Sequence, residues 1–448
     1  MANIVFGSGI TIGSGISFQY PPPPPPYFIA QGPTSGTSVG RAISIDSSGN
    51  MYEVGVVNSS AEINLSKYSV STGLVIWQYK IDSAYNDNAY SIYIDSSDNI
   101  FVAGIAGGDL YPSNPNGQSW IGKFNTSGAI QWQTTIAAEA YGSVINQLVT
   151  DSSGNIIVAG YTPNVYGKGW VAKLNSSGTV QWFKTTATES GLTGVATDSS
   201  NNIYLVGSGA ARGNPGVAMK LDTNGNQQWA KTWAGSAYAD GAGGVAVSSS
   251  GYVYISFSAN NSDAYLAKLS TTDGSQVWQR KLNSGTNDYG NSLSIDSSDN
   301  IYWVVNVLYN YSGQVGYQNE KAIMAKYNSS GTIQWQRQMY VSGTSYPNAF
   351  DLLNNIKVDN SSNFYVAGQM SAKNILAKLP TDGTLTTATY YTVNGTPIIY
   401  NASTLTDSAG SLNLGTGGTY TDTGSYTQST PTYAVTATSY TTATVVIG

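Results

Sequence analysis

The sequence predicts an all-β protein, a seven-bladed β-propeller of four-stranded antiparallel blades. Three observations lead to this fold class. A unit of about fifty residues recurs seven times, each unit holds four apolar runs separated by turn residues, and charge is scarce. Charged residues make up 10% of the 448 residues, whereas the chain contains 50 Gly and 33 Tyr. A four-stranded unit of this length is typical of propeller blades, which bury their faces by packing on one another in a closed ring.

The first strand of each unit ends in Asp and a short Ser-rich turn, as in Asp46-Ser47-Ser48-Gly49-Asn50. Successive copies are 47 to 63 residues apart. An Asx turn that closes the hairpin accounts for this Asp. A calcium site would need about six to eight oxygen ligands, and each copy offers one carboxylate among serines. We therefore predict a structural role and no metal for Asp46, Asp95, Asp151, Asp198, Asp296 and Asp359, with Ser248 replacing Asp in the fifth copy.

Two further positions recur in every unit or nearly so. The third strand carries a Lys, which we interpret as a structural partner for a repeat carboxylate or carbonyl; the copies are Lys67, Lys123, Lys173, Lys220, Lys268, Lys326 and Lys378. The fourth strand carries a Trp, the largest apolar side chain of the repeat, which predicts packing between blades. These residues are Trp77, Trp132, Trp182, Trp229, Trp278 and Trp335, and the seventh copy has Leu385 at the aligned position.

These motifs resemble a known repeat family. The segments 151–160, 170–178 and 180–182, which contain Asp151, Trp170, Lys173 and Trp182, look like the SBBP (seven-bladed β-propeller) repeat, and the resemblance covers residues 42 to about 393. It implies the propeller architecture and surface or extracellular settings, without a single activity. The segments 72–77 and 273–278 resemble the Trp-docking segment of quinoprotein dehydrogenase propellers.

The two ends of the chain differ from the repeat, so we divide it into 1–30, 31–393 and 394–448. Residues 1–20 contain two Gly-Ser-Gly turns, and Pro21 to Pro26 form a stiff spacer that holds this segment away from the propeller. Its Gly-Ser-Gly-Ile-Thr-Ile run resembles the N-termini of virion structural proteins of marine tailed phages, which implies an anchoring segment; a disordered leader is the alternative. Residues 394–448 lack Lys and Arg, and their β-propensity predicts strands that pair with the propeller, with the N-terminal segment or with another subunit.

Loop lengths indicate a binding face. The loops between the second and third strands, and those between blades, vary in length and lie on one face of the ring, whereas the Ser-rich turns on the other face stay short. Tyrosines in the former loops do not recur in register, and a flat amphipathic ring adds contact area at low entropy cost. We therefore expect a sugar or protein to contact Tyr111, Tyr166, Tyr309, Tyr311 and Tyr317. Tyrosines at the blade junctions do recur in register, which favours a structural role.

The composition disfavours several classes of function. The chain has no His and no Cys, so the commonest general base, the commonest metal ligand and all thiol chemistry are missing. We predict no enzyme and no cofactor; a two-carboxylate glycosidase is the formal alternative. Net charge is −6 without a basic stripe, which argues against nucleic acid as a partner. No apolar run reaches the length of a membrane span, and the N-terminus lacks the pattern of a secretion signal.

The leading hypothesis is therefore a non-enzymatic phage virion protein, located in the virion and present in multiple copies. Residues 1–20 would contact other virion proteins, and the propeller would attach to a host-surface glycan or protein, or reinforce the tail or capsid surface. A secreted or cell-surface bacterial adhesin and a pure scaffold without ligand are the alternatives. None of these predicts insertion into a membrane.

Overall fold

A computed structural model shows a ring of seven β-sheet blades. It describes residues 27–31, 38–57, 62–83, 86–107, 117–137, 142–162, 168–186, 190–209, 216–233, 241–259, 263–285, 287–310, 318–341, 351–359, 362–384, 387–393, 396–403, 405–409, 414–416, 420–421, 427–429, 434–437 and 443–447. Every regular element in these ranges is a strand. The predicted all-β fold, with seven blades of four antiparallel strands, is confirmed.

Each of the first six blades takes four consecutive strands from the chain. After the opening strand β1 (Tyr27–Gln31), blades 1 to 3 comprise β2 (Ser38–Ile45), β3 (Met51–Val57), β4 (Glu62–Tyr68), β5 (Val75–Asp82), β6 (Asn88–Ile94), β7 (Ile100–Ala106), β8 (Gln118–Phe124), β9 (Ile130–Ala137), β10 (Val144–Thr150), β11 (Ile156–Tyr161), β12 (Gly169–Leu174) and β13 (Val180–Thr186). Blades 4 to 6 comprise β14 (Ser190–Thr197), β15 (Ile203–Gly209), β16 (Gly216–Leu221), β17 (Gln227–Trp233), β18 (Gly241–Val247), β19 (Tyr252–Ala259), β20 (Asp263–Ser270), β21 (Gln276–Asn283), β22 (Asn287–Ile295), β23 (Ile301–Asn310), β24 (Gln318–Tyr327) and β25 (Ile333–Val341).

Blade 7 is built from both ends of the chain. Its first three strands are β26 (Leu352–Val358), β27 (Asn363–Met370) and β28 (Lys373–Pro380), and its fourth is β1, which pairs antiparallel with β28. The expectation that the chain continues through Leu385 into a fourth strand of this blade is therefore wrong, because β1 occupies that edge; residue 385 itself lies outside the described residues. The predicted boundary between residues 30 and 31 falls inside β1.

The rest of the chain runs around the outside of the ring. It forms β29 (Thr387–Val393), β30 (Thr396–Ala402), β31 (Thr406–Ala409), β32 (Leu414–Thr416), β33 (Tyr420–Thr421), β34 (Thr427–Ser429), β35 (Ala434–Ala437) and β36 (Ala443–Ile447). Strands β30 to β35 pair with the outer strands of blades 6, 5, 4, 3, 2 and 1, in that order, and β36 pairs with β1 of blade 7. We call β30 to β36 the belt. The predicted boundary at 393/394 falls inside the hairpin of β29 and β30 on blade 6.

The core lies between the blades. Seven clusters of buried apolar side chains are found in the described residues, and each joins two neighbouring blades. Second and third strands supply most of these residues, because both faces of a middle strand are covered. The burial of β3 shows this, since all seven of its residues are buried. The seventh cluster, with Ile43 of blade 1 and Tyr365 of blade 7, lies at the seam that closes the ring.

Candidate functional site

The tyrosines that the sequence offers as ligand contacts fall mostly outside the described residues. This applies to Tyr111, Tyr166, Tyr311 and Tyr317, while Tyr309 lies in β23, where its backbone pairs with Asn319. Among the junction tyrosines, Tyr289 is described and is partly exposed. The loop-face binding site therefore stays a prediction.

The repeated Asp forms the turn predicted from the sequence. Asp46 Oδ1 accepts hydrogen bonds from Ser48 N over 3.0 Å and from Asn50 N over 2.8 Å. The same two bonds recur at Asp95, Asp151, Asp198 and Asp296. Each carboxylate thus closes an Asx turn within its own blade. In the described residues no group of three or more acidic side chains is arranged to hold a metal ion.

The Ser-rich turn of each of the first six blades contains one residue with a positive φ, and its type alternates between Gly and Asp or Asn around the ring. In blades 1, 3 and 5 the position is Gly49, Gly154 or Gly251, and in blades 2, 4 and 6 it is Asp98, Asn201 or Asp299. Glycine adopts this conformation without strain, and Asp and Asn tolerate it better than other residues. Each acidic or amide copy accepts a bond from the preceding blade: Asp98 from Ser47 N over 2.8 Å, for instance, and Asn201 from Ser152 N over 2.9 Å. These bonds join the blades in pairs.

The repeated Lys and Trp link each blade to the next one. Trp229 Nε1 and Lys220 Nζ of blade 4 both donate to Thr271 O of blade 5, over 3.1 and 3.0 Å. The indole bond recurs in blades 1, 2, 3, 5 and 6. Lys378 of blade 7 donates to Val70 O of blade 1 over 3.4 Å, so the lysine contact also spans the seam. Lys67 and Lys173 in addition form ion pairs with Asp46 and Asp151.

The innermost strands share a β-bulge that lines a central channel. In all seven blades the register shifts at one position, and blade 6 bulges over two residues. A bulge leaves a residue outside the ladder and re-aims its side chain. The bulge residues are Arg41, Tyr90, Asn146, Thr193, Gly243, Asn291 with Ser292, and Asn354.

The amide side chains at the bulges hydrogen bond to the neighbouring blade. Asn146 donates to Leu192 O over 2.7 Å, and Asn354 donates across the seam to Gly40 O, also over 2.7 Å. The residue after the bulge can accept a hydrogen bond from the neighbouring blade: Gln147 Oε1, for example, accepts from Val195 N over 2.7 Å. Backbone groups that the bulge frees are satisfied in this way.

The channel is a cavity of about 290 Å³. Innermost strands of all seven blades contribute to its wall, and the described residues that line it include two cations, Arg41 and Lys357, and no acidic side chain. Sequence analysis missed these residues, although a signal exists: the bulge residue stands five positions before the repeat Asp or Ser248 in every unit. At that position three blades have Asn, which bonds to the neighbouring blade, whereas the other four have Arg41, Tyr90, Thr193 and Gly243.

A buried acid lies at the seam of the ring. Glu53 of β3 is buried, and its Oε2 accepts a bond from Tyr68 Oη over 3.1 Å. Its Oε1 and the Oδ1 of Asn374 in blade 7 have no hydrogen-bond partner, and a Cβ on Gly40 would lie 2.3 and 2.4 Å from these two oxygens. Two acceptors therefore face the same space. Burial raises the pKa of Glu53 to about 7, so the protonated carboxyl is the form that the seam favours.

This acid predicts a pH dependence of stability. Because the pKa of Glu53 is higher in the folded chain than the ordinary 4.5, the stabilisation is full below pH 4.5 and is lost as pH rises to about 7. The expected loss is about 3 kcal/mol of unfolding free energy. Denaturant unfolding of the wild type and Glu53→Gln at several pH values measures it. Burial also raises the pKa of Asp288 and Asp351 to about 6. Because the wild type and Glu53→Gln both contain these two acids, the difference between the two proteins reports Glu53 alone. Equal pH dependence of the two proteins would contradict the assignment.

Comparisons with known proteins agree with the propeller fold. A family model described as "Outer membrane protein assembly factor BamB" matches residues 214–386, from the third strand of blade 4 to the end of blade 7. A curated relative, the "Uncharacterized WD repeat-containing protein L264" of Acanthamoeba polyphaga mimivirus, is 30% identical over 130 residues. That match covers 24% of this chain and 9% of the relative, so the chain spans a small part of the relative's length.

Solved structures of low sequence identity share the same architecture. A chain of "COPII on membranes, outer coat vertex" is 13% identical, with a TM-score of 0.50 over 81% of this chain and 88% of that one. A chain of "The structure of the COPII coat assembled on membranes" gives the same identity and TM-score over 81% of this chain and 49% of that one. At such identities the likeness concerns the fold alone. In the described residues no helix is long and apolar enough to span a membrane. The chain is thus a β-propeller.

Proposed function

We propose that the protein is a non-enzymatic structural protein of a phage virion. Its propeller is displayed for attachment to a host surface, or it reinforces the surface of the tail or capsid. In this proposal residues 1–20 bind other virion proteins, several copies enter one particle, and no catalytic step is assigned. Proposed ligands of the displayed face are a glycan or a protein.

The belt is the observation that supports this proposal best. Open sheet edges offer unpaired N–H and C=O groups to other chains, which is a route to aggregation. The belt covers the outer edge of every blade with a further strand, and β36 covers β1. A propeller whose edges are occupied by its own chain suits a protein that must persist at high local concentration on a particle. The viral origin of the partial relative is consistent with this role.

A truncation at the boundary of β1 tests the anchoring part of the proposal. Residues 1–26 precede β1, so their removal leaves all strands of blade 7 in place. The expected result is a protein with unchanged circular dichroism and melting temperature that no longer enters purified particles. The measurement is immunoblotting of particles made with each form of the gene. Incorporation of the truncated protein at the wild-type level would refute the anchoring role.

A further inference from the structure

The central channel contains an arginine that the fold does not use. Arg41 occupies the bulge of β2, and its Nε is buried without a hydrogen-bond partner. Its guanidinium carbon lies 5.7 Å from the centre of the Tyr90 ring, which occupies the bulge of the neighbouring blade. A cation–π contact of this kind orients the guanidinium but leaves the Nε–H donor unsatisfied. The Nε–H group of Arg41 is therefore a donor at the channel wall that a ligand could satisfy.

Lys357 is a second cation in the same wall, and it differs from the repeated lysines. Six of those seven lysines have acceptors: Lys268, for example, donates to Ser329 O over 3.0 Å, and Lys173 lies 2.9 Å from Asp151. Lys357, which is half-buried, has no hydrogen bond or ion pair within the described ranges, and its partial desolvation lowers its pKa. Burying a charge is costly unless a partner compensates for it. A counter-charge that enters the channel would supply this compensation.

The two cations lie on adjacent blades at different depths. Arg41 is at the bulge of blade 1, and Lys357 follows the bulge residue Asn354 of blade 7 by three positions. At about 3.3 Å per residue, Lys357 is about 10 Å further along the channel. The described lining contains no carboxylate between or around them. A narrow channel with charge of one sign concentrates the field and attracts ions of the opposite sign.

We propose that the central channel binds a small hydroxyl-rich organic anion, of the uronic acid type, with Arg41 and Lys357 as its counter-charges. The carboxylate of the ligand satisfies the guanidinium, for which a planar two-oxygen acceptor is the natural partner. Elsewhere in the wall, Ser294 Oγ accepts a bond from Val358 N over 3.2 Å and can still donate its proton to a sugar hydroxyl, whereas the amide of Asn355 is already used between blades. The cavity of about 290 Å³ is at the lower end of ligand sites, so a single sugar ring is the expected size. This proposal does not depend on the virion role.

Calorimetric titration of the purified full-length protein tests the site with three probes. Glucuronate and glucose differ in the carboxylate, and sulfate supplies the charge without the ring. We expect glucuronate to bind, glucose to bind at least about tenfold more weakly, and salt to weaken the glucuronate complex. Absence of glucuronate binding would overturn the proposal. Sulfate binding as tight as that of glucuronate would overturn the assigned ligand class and leave an inorganic anion site.

Matched variants assign the binding to the two cations. Arg41→Gln and Lys357→Gln are each expected to weaken glucuronate binding about tenfold, since each removes a charge-assisted contact. Lys231→Gln, which removes the same charge from the outer strand β17, is the control and should bind as the wild type does. Because Lys357 lacks a partner in the fold, Lys357→Gln should keep or raise the melting temperature, which separates loss of binding from loss of structure. Equal affinities in all four proteins would overturn the assignment.

Discussion

Truncation of the chain after Ser403 is expected to lower the melting temperature by about 5 °C and to make the protein self-associate. This variant retains β29 and β30 on blade 6 but removes β31 to β36 from the other six blades. Each lost strand pairs with its blade through few residues, from two residue pairs in β33 to five residue pairs in β36. A net hydrogen bond contributes about 0.5–1.5 kcal/mol, and the cost of ordering the strand offsets part of it, so we expect a loss of about 5 kcal/mol. For a chain of this size about 1 °C corresponds to each kcal/mol, because the unfolding entropy grows with chain length.

Two measurements check the belt prediction. Scanning calorimetry reports the melting temperature, and light scattering over a range of protein concentrations reports self-association through the exposed outer edges. A peptide of residues 404–448 added to the truncated protein is the control, and it should restore both properties because the missing pairs lie within that segment. A truncated protein that melts like the full chain and stays monomeric would show that the belt does not stabilise the ring.

Removal of residues 1–31 is expected to have a larger effect, with loss of the cooperative folding of the ring. Strand β1 lies between β28 and β36, so its removal breaks two ladders at once. The remaining seam contacts, among them the buried cluster of Ile43 and Tyr365 and the bond from Asn374 N to Ser38 Oγ, must then hold the ring closed without the strand that ties blade 7 to the N-terminal part of the chain. A propeller that cannot close leaves the faces of blades 1 and 7 in water, and exposed faces of this kind lead to aggregation.

The truncation that removes residues 1–26 is the matched control for this experiment, because it differs by the five residues of β1 alone. Both proteins are to be compared by circular dichroism, melting temperature and the soluble fraction after expression. The account predicts a soluble, cooperatively melting protein for the shorter deletion and an insoluble or molten product for the longer one. Equal behaviour of the two would show that β1 is dispensable for closure.

The repeat predicted most of the fold because its signal is local. The Asp turns, the Lys strands and the Trp strands recur within about fifty residues, so blade number and strand order follow from spacing alone. The fourth strand of blade 7 was not predictable in this way. Strand β1 has five residues and no Trp, and its partner β28 is near the other end of the repeat array. A long-range pairing of so few residues leaves no periodic trace in the sequence.

The belt and the channel were missed for different physical reasons. Belt strands such as β33 and β34 are two and three residues long, and backbone pairing sets their position, so composition predicted β-structure but not its path around the ring. The channel depends on a bulge that turns one residue per blade inwards. Since five residue types occupy this position, Asn in three blades and Arg, Tyr, Thr and Gly in the others, a search for one recurring residue passes over it, although its distance from the repeat Asp is constant.

A density map of the full-length protein from crystallography or electron microscopy tests the central claim most directly. The claim is that β1 closes the ring of seven blades as the fourth strand of blade 7 and that the C-terminal strands encircle the ring. The account predicts β1 as the fourth strand of blade 7, with β36 beside it and a belt strand on each of the other six blades. A map in which residues after Pro380 form that fourth strand, or in which the C-terminal residues leave the ring, would contradict it.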